Sequence, residues 1–237
     1  MTRMELRLPL PARASRESSS RPKGGEGKVY AVKECFLTLQ GEGVRSGSRA
    51  VFLRFAGCNL WSGREQDRAG AKCRFCDTDF VGTDGEAGGK FRSVDALADH
   101  VASLWGSGTE ARLVVITGGE PMLQLDEPLV TALQARGFRV AVETNGTLPA
   151  VAGLDWICVS PKAGTDVVQR NGNELKLVWP QEGIDPIELE AWEFDHFLVQ
   201  PMDCEAGDDA LQAAISLAME RPRWRLSLQA HKVVGLP

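Results

Sequence analysis

Short runs of aliphatic residues recur along this chain, and most are continuous rather than alternating with polar residues. Continuous runs of Val, Ile and Leu are typical of strands that are buried on both faces of a parallel sheet. They predict strands at Ala50–Ala56, Leu113–Thr117, Arg139–Glu143, Trp156–Ser160, Glu174–Val178, His196–Gln200 and Arg225–Leu228.

Helical patterns separate several of these runs. One helix begins after Ser93, a suitable N-cap, and others are predicted at about residues 125–136, 186–192 and 208–220. No helical period appears between residues 160 and 174. We therefore predict an α/β fold, namely an incomplete (β/α) barrel with mostly parallel strands and some helices missing.

The first 29 residues differ from the rest of the chain. They are rich in Arg, Ser, Pro and Gly and have no apolar period, which predicts a disordered N-terminal extension. Glu5, Glu17 and Glu26 interrupt the basic charge and disfavour a transit peptide. Residues 30–237 are predicted to form the folded domain.

Composition excludes several classes of protein. The net charge of -5 argues against a protein whose main task is to grip nucleic acid. No apolar run approaches the ~20 residues that a membrane span needs, and the N-terminal segment lacks the apolar core of a secretory signal. Six cysteines in 237 residues are too few for a disulfide scaffold. We predict a cytoplasmic protein with reduced thiols that binds neither nucleic acid nor membrane.

Polar residues follow five of the predicted strands. In parallel β/α folds the functional site lies at the carboxyl ends of the strands, so these residues are expected to share one mouth. They are Thr117, Gly118 and Gly119, Glu143 to Asn145, Ser160 and Lys162, Gln200, and Gln229 with His231.

Three cysteines stand out by position and spacing. Cys58 follows the first predicted strand. Fourteen residues separate it from Cys73, which forms a CxxC pair with Cys76. The CxxC pair by itself favours zinc or thiol chemistry. However, a structural zinc site normally has four protein ligands, whereas a [4Fe–4S] cluster on three thiolates leaves one iron open. The remaining cysteines are interpreted as small buried hydrophobic residues: Cys35, Cys158 and Cys204.

The surrounding residues resemble the radical S-adenosylmethionine (radical SAM) superfamily. "CRFCDTDF" and "ITGGEP" match its cysteine motif and its Gly-Gly-Glu stretch in the family's order, although the first cysteine gap is fourteen residues instead of three. Within the superfamily the chain resembles the 7-carboxy-7-deazaguanine synthases. The segments that carry this resemblance are "FLTLQGEG", "VFLRFAGCNLW", "CRFCDTDF", "ITGGEPMLQ", "VETNGT", "VSPK" and "FLVQPM", between residues 36 and 202.

The resemblance implies a lyase-type reaction. 6-Carboxy-5,6,7,8-tetrahydropterin would be converted to 7-carboxy-7-deazaguanine with loss of ammonia, as a step towards 7-deazapurines such as queuosine. A [4Fe–4S] cluster, S-adenosylmethionine and Mg2+ would take part, with an outside electron donor such as flavodoxin, in a homodimer. The alternatives are another radical SAM enzyme, such as a glycyl-radical activase, and a non-catalytic zinc-binding domain.

The resemblance also implies roles for individual residues of the domain at 30–237. The cluster ligands would be Cys58, Cys73 and Cys76, and the Mg2+ ligand would be Thr78. The residues that bind S-adenosylmethionine would be Phe75, Asp77, Gly119, Glu143, Ser160, Lys162 and Gln200. The residues that bind the pterin would be Gln40, Gly41, Glu42, Arg54, Thr117, His231 and Pro237.

The last nine residues, after Leu228, form a short and fairly apolar tail. The tail is long enough to fold back across an open barrel, since an extended residue spans about 3.4 Å. The resemblance points the same way, and the terminal carboxylate of Pro237 would then bind the N–H groups of the pterin. The alternative is a frayed chain end, which is commoner.

Overall fold

A computed structural model describes residues 28–204 and 207–236. The described residues form one nine-stranded sheet with the strand order β3-β1-β2-β4-β5-β6-β7-β8-β9. The strands are β1 (Tyr30–Leu39), β2 (Arg49–Phe55), β3 (Gly89–Phe91), β4 (Leu113–Gly118), β5 (Arg139–Thr144), β6 (Trp156–Val159), β7 (Asn171–Trp179), β8 (Glu193–Pro201) and β9 (Trp224–Leu226). The α-helices are α1 (Val94–Trp105), α2 (Glu127–Ala135), α3 (Pro186–Leu189), α4 (Gly207–Glu220) and α5 (Ala230–Val234).

Seven strands run parallel to one another in the order β2-β4-β5-β6-β7-β8-β9, whereas β1 is antiparallel to both β2 and β3. Because β3 and β9 are the two edges of the sheet, the barrel is open. The connections from β5 to β6 and from β6 to β7 contain no helix among the described residues. The predicted α/β fold with an incomplete barrel, mostly parallel strands and missing helices is therefore confirmed.

Of three hydrophobic clusters among the described residues, the two larger ones pack helices against the sheet. The larger one joins α1 and α2 to the outer face of the first strands, and Leu53, Ile116 and Leu129 in it are fully buried. The smaller of these two packs Ala214 of α4 against β7 to β9 around Trp224. The helices thus cover one face of the sheet, and the other face lines the interior of the open barrel.

Sequence reasoning missed β1, the longest of the described strands. Its pairing with β2 is regular from Glu34 to Leu39, but the register shifts between Val32 and Glu34. A β-bulge of this kind places an extra residue in the strand and so breaks the alternation of apolar and polar residues. The side chains of Val32 and Lys33 are consequently both buried.

The chain ends are described only in part. The predicted disordered extension lies outside the described residues apart from Lys28 and Val29, and Lys28 Nζ is 2.6 Å from a carboxylate oxygen of Asp126. At the other end, residues 230–234 form α5 rather than an extended tail. Pro237, a predicted substrate ligand, lies outside the described residues. Among the helices that the structure describes, none is long and apolar enough to cross a membrane.

Candidate active site

A cavity of about 420 Å³ opens inside the unclosed barrel. Apart from Pro237, every residue that the sequence predicts for the cluster, Mg2+, S-adenosylmethionine or the pterin lines this cavity. The residues are Gln40, Gly41, Glu42, Arg54, Cys58, Cys73, Phe75, Cys76, Asp77, Thr78, Thr117, Gly119, Glu143, Ser160, Lys162, Gln200 and His231. The structure thus brings together residues that are almost 200 positions apart in the sequence.

The fourteen residues between Cys58 and Cys73 form a loop that begins and ends at the cavity. The loop contains a 3-10 helix at Glu65–Gly70, and the Lys72 amide donates to the Leu60 carbonyl at 3.1 Å. Arg68 donates through Nη1 to the Cys76 carbonyl at 3.1 Å, and its guanidinium lies 4.1 Å from the centre of the Trp61 ring. The long spacing is therefore compatible with three cysteines on one cavity wall.

The thiols of Cys73 and Cys76 interact directly. A hydrogen bond between them lowers the pKa of Cys76 to about 6 and raises that of Cys73, while burial raises the pKa of Cys58. Since the thiolate is the form that binds metal, the lowered pKa of Cys76 is consistent with a role as a ligand.

The arrangement of the thiols suits a cluster better than a single ion. Within the described residues, no three His, Cys, Asp or Glu side chains are placed to hold one metal ion. A single ion needs its ligands in one coordination sphere, whereas a [4Fe–4S] cluster accepts one thiolate at each of three iron atoms. Cys58, Cys73 and Cys76 all line the cavity, which is compatible with three thiolates that each bind one iron atom of such a cluster.

The Gly118-Gly119 pair packs against the chain that carries Cys58. A Cβ on Gly118, which has φ +148°, would lie 2.3 Å from the Phe55 carbonyl oxygen. A Cβ on Gly119 would lie 2.4 Å from the Gly57 carbonyl oxygen and 2.5 Å from Cys58 Cβ. The two glycines therefore let β4 approach the cysteine loop to a distance that no other residue permits.

Glu120 lies behind this pair and has a structural role. It is fully buried and accepts hydrogen bonds from the amides of Met122 and Asn145 and from the hydroxyl of Thr144. Burial raises the pKa of its carboxyl group. The carboxylate thus joins the ends of β4 and β5 and does not line the cavity.

Lys162 points back to the end of β6. Its ammonium donates to the backbone carbonyl and to the hydroxyl of Ser160, both at 2.7 Å, and lies 6.0 Å from the centre of the Phe75 ring. Burial lowers the pKa of Lys162. Lys162, Ser160 and Phe75 therefore form a polar and aromatic wall next to the cysteines.

Asp77 connects the cysteine loop to the C-terminal segment. Its Oδ2 accepts from Lys232 at 2.7 Å and from Gln229 at 3.3 Å. Burial alone would raise the pKa of Asp77, but these two partners lower it overall. Thr78 lines the cavity beside it, with its hydroxyl 3.5 Å from Asp77 Oδ1.

A second group of residues that line the cavity is rich in charge. Gln40 donates to Glu143 Oε1 at 2.8 Å, and its own Oε1 accepts from the Glu42 amide at 3.1 Å. Lys176 donates to Glu42 Oε2 and, at 3.0 Å, to Glu143 Oε2. Glu143, predicted as a contact of S-adenosylmethionine, is thus hydrogen-bonded to a residue predicted to bind the pterin.

Arg54 and His231 lie in the same cavity. Arg54 on β2 donates through Nε to Glu34 on β1 at 2.7 Å, so the cation in this apolar strand is paired. His231 packs against Gly41, where an added Cβ would lie 2.1 Å from His231 Nδ1. The neighbouring Ala230 amide donates to the Gly41 carbonyl at 2.8 Å. Helix α5 is therefore fixed to the loop that carries Gln40 and Glu42.

Comparison with known proteins decides the family. Residues 68–177 match the model of the radical SAM superfamily. The 7-carboxy-7-deazaguanine synthase of Caulobacter vibrioides is 61% identical over 209 residues, which cover 88% of this chain and 100% of the relative. The chain belongs to the 7-carboxy-7-deazaguanine synthase family.

Further members of the family extend this likeness. The 7-carboxy-7-deazaguanine synthase of Nitratidesulfovibrio vulgaris is 53% identical over 216 residues, covering 88% of this chain and 100% of the relative. The crystal structure of QueE from Escherichia coli matches with a TM-score of 0.64 and 28% identity, over 86% of this chain and 95% of that one. Membership of this family removes the glycyl-radical activase and the zinc-binding domain as alternatives.

Sequence reasoning missed two charged residues that shape the site of this family member. Lys176 lies within β7, between Leu175 and Leu177, and Glu34 lies on the missed strand β1. A charged residue inside a run of buried aliphatic residues must have a partner, because an unpaired buried charge is costly. This signal, which pointed to Arg54, would also have identified Lys176.

Proposed function

We propose that this protein is a radical SAM enzyme that converts 6-carboxy-5,6,7,8-tetrahydropterin to 7-carboxy-7-deazaguanine with loss of ammonia. The observation that carries the proposal is the single cavity, which joins three cysteines to a ring of carboxylate and amide groups. The three cysteines suit a cluster and its cofactor, and the carboxylate and amide groups suit a small polar heterocycle. Family membership at 61% identity supports the same reaction.

The residues around the three cysteines would hold the cofactors. Cys58, Cys73 and Cys76 would bind the [4Fe–4S] cluster. When bound, the cluster and S-adenosylmethionine supply the abstraction of a hydrogen atom from the substrate. The residues of this chain that would bind S-adenosylmethionine are Phe75, Asp77, Gly119, Glu143, Ser160, Lys162 and Gln200.

The charged and amide residues that line the cavity would orient the pterin. Glu42 would accept from the amino and ring N–H groups of the pterin, and Gln40 would complete the recognition of its edge. Arg54 keeps Nη1 and Nη2 for the substrate carboxylate, because its ion pair with Glu34 uses Nε. Further contacts would come from Gly41, Thr117, His231 and the terminal carboxylate of Pro237.

Mg2+ is expected to bind between Thr78 and the substrate. A lone hydroxyl is too weak to hold Mg2+, which requires several hard oxygen ligands, so substrate oxygens must complete the site. Calorimetry should therefore detect tight Mg2+ binding only when the pterin and S-adenosylmethionine are present, and Thr78→Ala should weaken that binding at least about tenfold. Tight Mg2+ binding to substrate-free protein, unchanged by Thr78→Ala, would contradict this assignment.

The proposal extends to location and partners. All six cysteines lie within the described residues and are free thiols, which suits the reducing cytoplasm. The cluster requires an outside electron donor, for which flavodoxin is the proposed partner. The oligomeric state is proposed to be a homodimer, and sedimentation equilibrium of the cluster-loaded protein measures it.

Anaerobic reconstitution tests the function directly. Protein loaded with iron and sulfide should be brown, and with reductant, S-adenosylmethionine and Mg2+ it should convert the pterin to a product with the mass of 7-carboxy-7-deazaguanine. Ammonia should be released in equal amount. Colourless protein that contains one zinc per chain and forms no product would refute the proposal.

A further inference from the structure

Lys176 occupies an unusual position for a charged residue. It lies in the middle of β7 between two fully buried leucines, Leu175 and Leu177, and only 4% of its side chain is exposed. Its ammonium donates to Oε2 of Glu42 and to Oε2 of Glu143, which come from different parts of the chain. Lys176 is therefore the point at which β7 connects the loop after β1 to strand β5.

The hydrogen bonds around Lys176 form a closed ring. Lys176 joins Glu143 to Glu42, the Glu42 amide donates to Gln40, and Gln40 donates back to Glu143. Gln229 donates to the remaining oxygen, Glu42 Oε1, at 2.9 Å. Each of the four carboxylate oxygens thus has one donor from the protein, and each retains further lone-pair capacity for a ligand.

The charges in the ring do not cancel, because two carboxylates share one ammonium. Burial alone would lower the pKa of Lys176, but the charges of Glu143 and Glu42 raise it well above its usual value. Burial would raise the pKa of Glu42, whereas Lys176 lowers it overall. Without the ammonium, the two carboxylates would lose a shared hydrogen-bond donor and its charge, which favours the protonated form of a buried carboxyl group.

We propose that Lys176 is a positioning residue, which holds the carboxylates of Glu42 and Glu143 in place as acceptors for N–H groups of the bound ligands. The inference deepens the proposed function and rests on it. A pterin presents an amino group and ring N–H groups along one edge, so an ionised and fixed Glu42 carboxylate suits it. A protonated carboxyl group would lose one acceptor position and would bind this edge less strongly.

Replacement of Lys176 by methionine removes the ammonium and retains the length of the side chain. We expect kcat/KM for the pterin to fall about a hundredfold at pH 7, because a charged hydrogen-bonding partner is lost from a buried site. The loss should appear mainly in KM. Iron content should be unchanged, because Cys58, Cys73 and Cys76 are unaltered in this variant.

The dependence on pH has a definite sign. In Lys176→Met one carboxyl group of the pair takes up a proton at neutral pH, so kcat/KM should rise with pH as that proton is lost. The wild type should show no such ionisation in the same range. The other titratable groups near the pair or Lys176 are Glu174 on β7, Cys158 on β6, Lys162 after β6 and His231 on α5, and both proteins retain them.

A double-mutant cycle separates this role from a direct contact. If Lys176 acts through Glu42, the Lys176→Met change should cost much less in Glu42→Gln than in the wild type. Lys176→Gln, which keeps a polar group and removes the charge, should behave like Lys176→Met. Arg221→Met, which breaks the ion pair with Glu190 outside the cavity, should leave kcat/KM unchanged.

Infrared difference spectra of substrate-free protein test the inference independently of turnover. Lys176→Met should show a protonated carboxyl band at neutral pH that the wild type lacks. Absence of this band, additive losses in the cycle, or failure of both Lys176 variants to load the cluster would overturn the inference. Wild-type protein that does not convert the pterin would contradict the proposed function alone, because the infrared result still decides the state of the carboxylates.

Discussion

Alanine at Cys58, Cys73 or Cys76 is expected to abolish both cluster binding and turnover. Each thiolate would bind a different iron atom, so two remaining ligands would leave the cluster exposed to loss of iron. Iron, sulfide and the visible absorption band should fall below detection in each variant after anaerobic reconstitution. Product formation should fall by at least about a thousandfold, since no other group in the cavity supplies the chemistry.

The other three cysteines provide matched controls. Cys35 and Cys158 are buried and Cys204 is exposed, and none of them lines the cavity. Their alanine variants should retain iron and turnover, with a loss of about 1 kcal/mol in the free energy of unfolding at the two buried positions. A Cys58→Ala protein that keeps its cluster, together with a Cys35→Ala protein that loses it, would show that the ligands are wrongly assigned.

The parallel strands were predictable because burial on both faces leaves a direct trace in the sequence. Val114 to Ile116 and Val140 to Val142 are uninterrupted aliphatic runs, and the structure has them in adjacent strands, β4 and β5. Strand β1 left no such trace, because its bulge between Val32 and Glu34 disrupts the periodic pattern. Helix α5 was missed because five residues are too few for a helical period to be recognised.

The candidate site was predictable to the extent that its residues follow strands or belong to recognisable motifs. The partners of those residues were not, because pairing across the barrel depends on register and on loop geometry. Arg68 is an example: nothing in the sequence indicates that it bonds to the Cys76 carbonyl and covers Trp61. The same holds for Gln229, which contacts both Glu42 and Asp77.

The C-terminal segment contacts two loops that line the cavity. Lys232 binds Asp77 next to the cysteine Cys76, and the Ala230 amide binds Gly41 in the loop of Gln40 and Glu42. A displacement of α5 would therefore disturb both the loop that carries Gln40 and Glu42 and the loop that carries Asp77. This dependence makes Gly41 a sensitive position, although glycine itself contributes no functional group.

Gly41→Ala is expected to raise KM for the pterin at least about tenfold, because buried contacts of 1–3 kcal/mol are lost when α5 moves. The new Cβ would lie 2.1 Å from Nδ1 and 2.8 Å from Cβ of His231, so the whole residue must shift and not only its ring. Iron content should be unchanged. Gly207→Ala is the matched control, since a Cβ there meets nothing within 4 Å, and its kinetics should equal those of the wild type.

Two glycines appended after Pro237 test the role of the terminal carboxylate separately from that of α5. The extension moves the terminal carboxylate and leaves Gly41 and His231 in place, so it tests the predicted role of Pro237 alone. If that carboxylate binds the pterin, the extended protein should also show a raised KM, with cleavage of S-adenosylmethionine retained. A normal KM in the extended protein combined with a raised KM in Gly41→Ala would refute the role of Pro237 and keep that of α5. Normal values in both proteins would show that the C-terminal segment does not contribute to substrate binding.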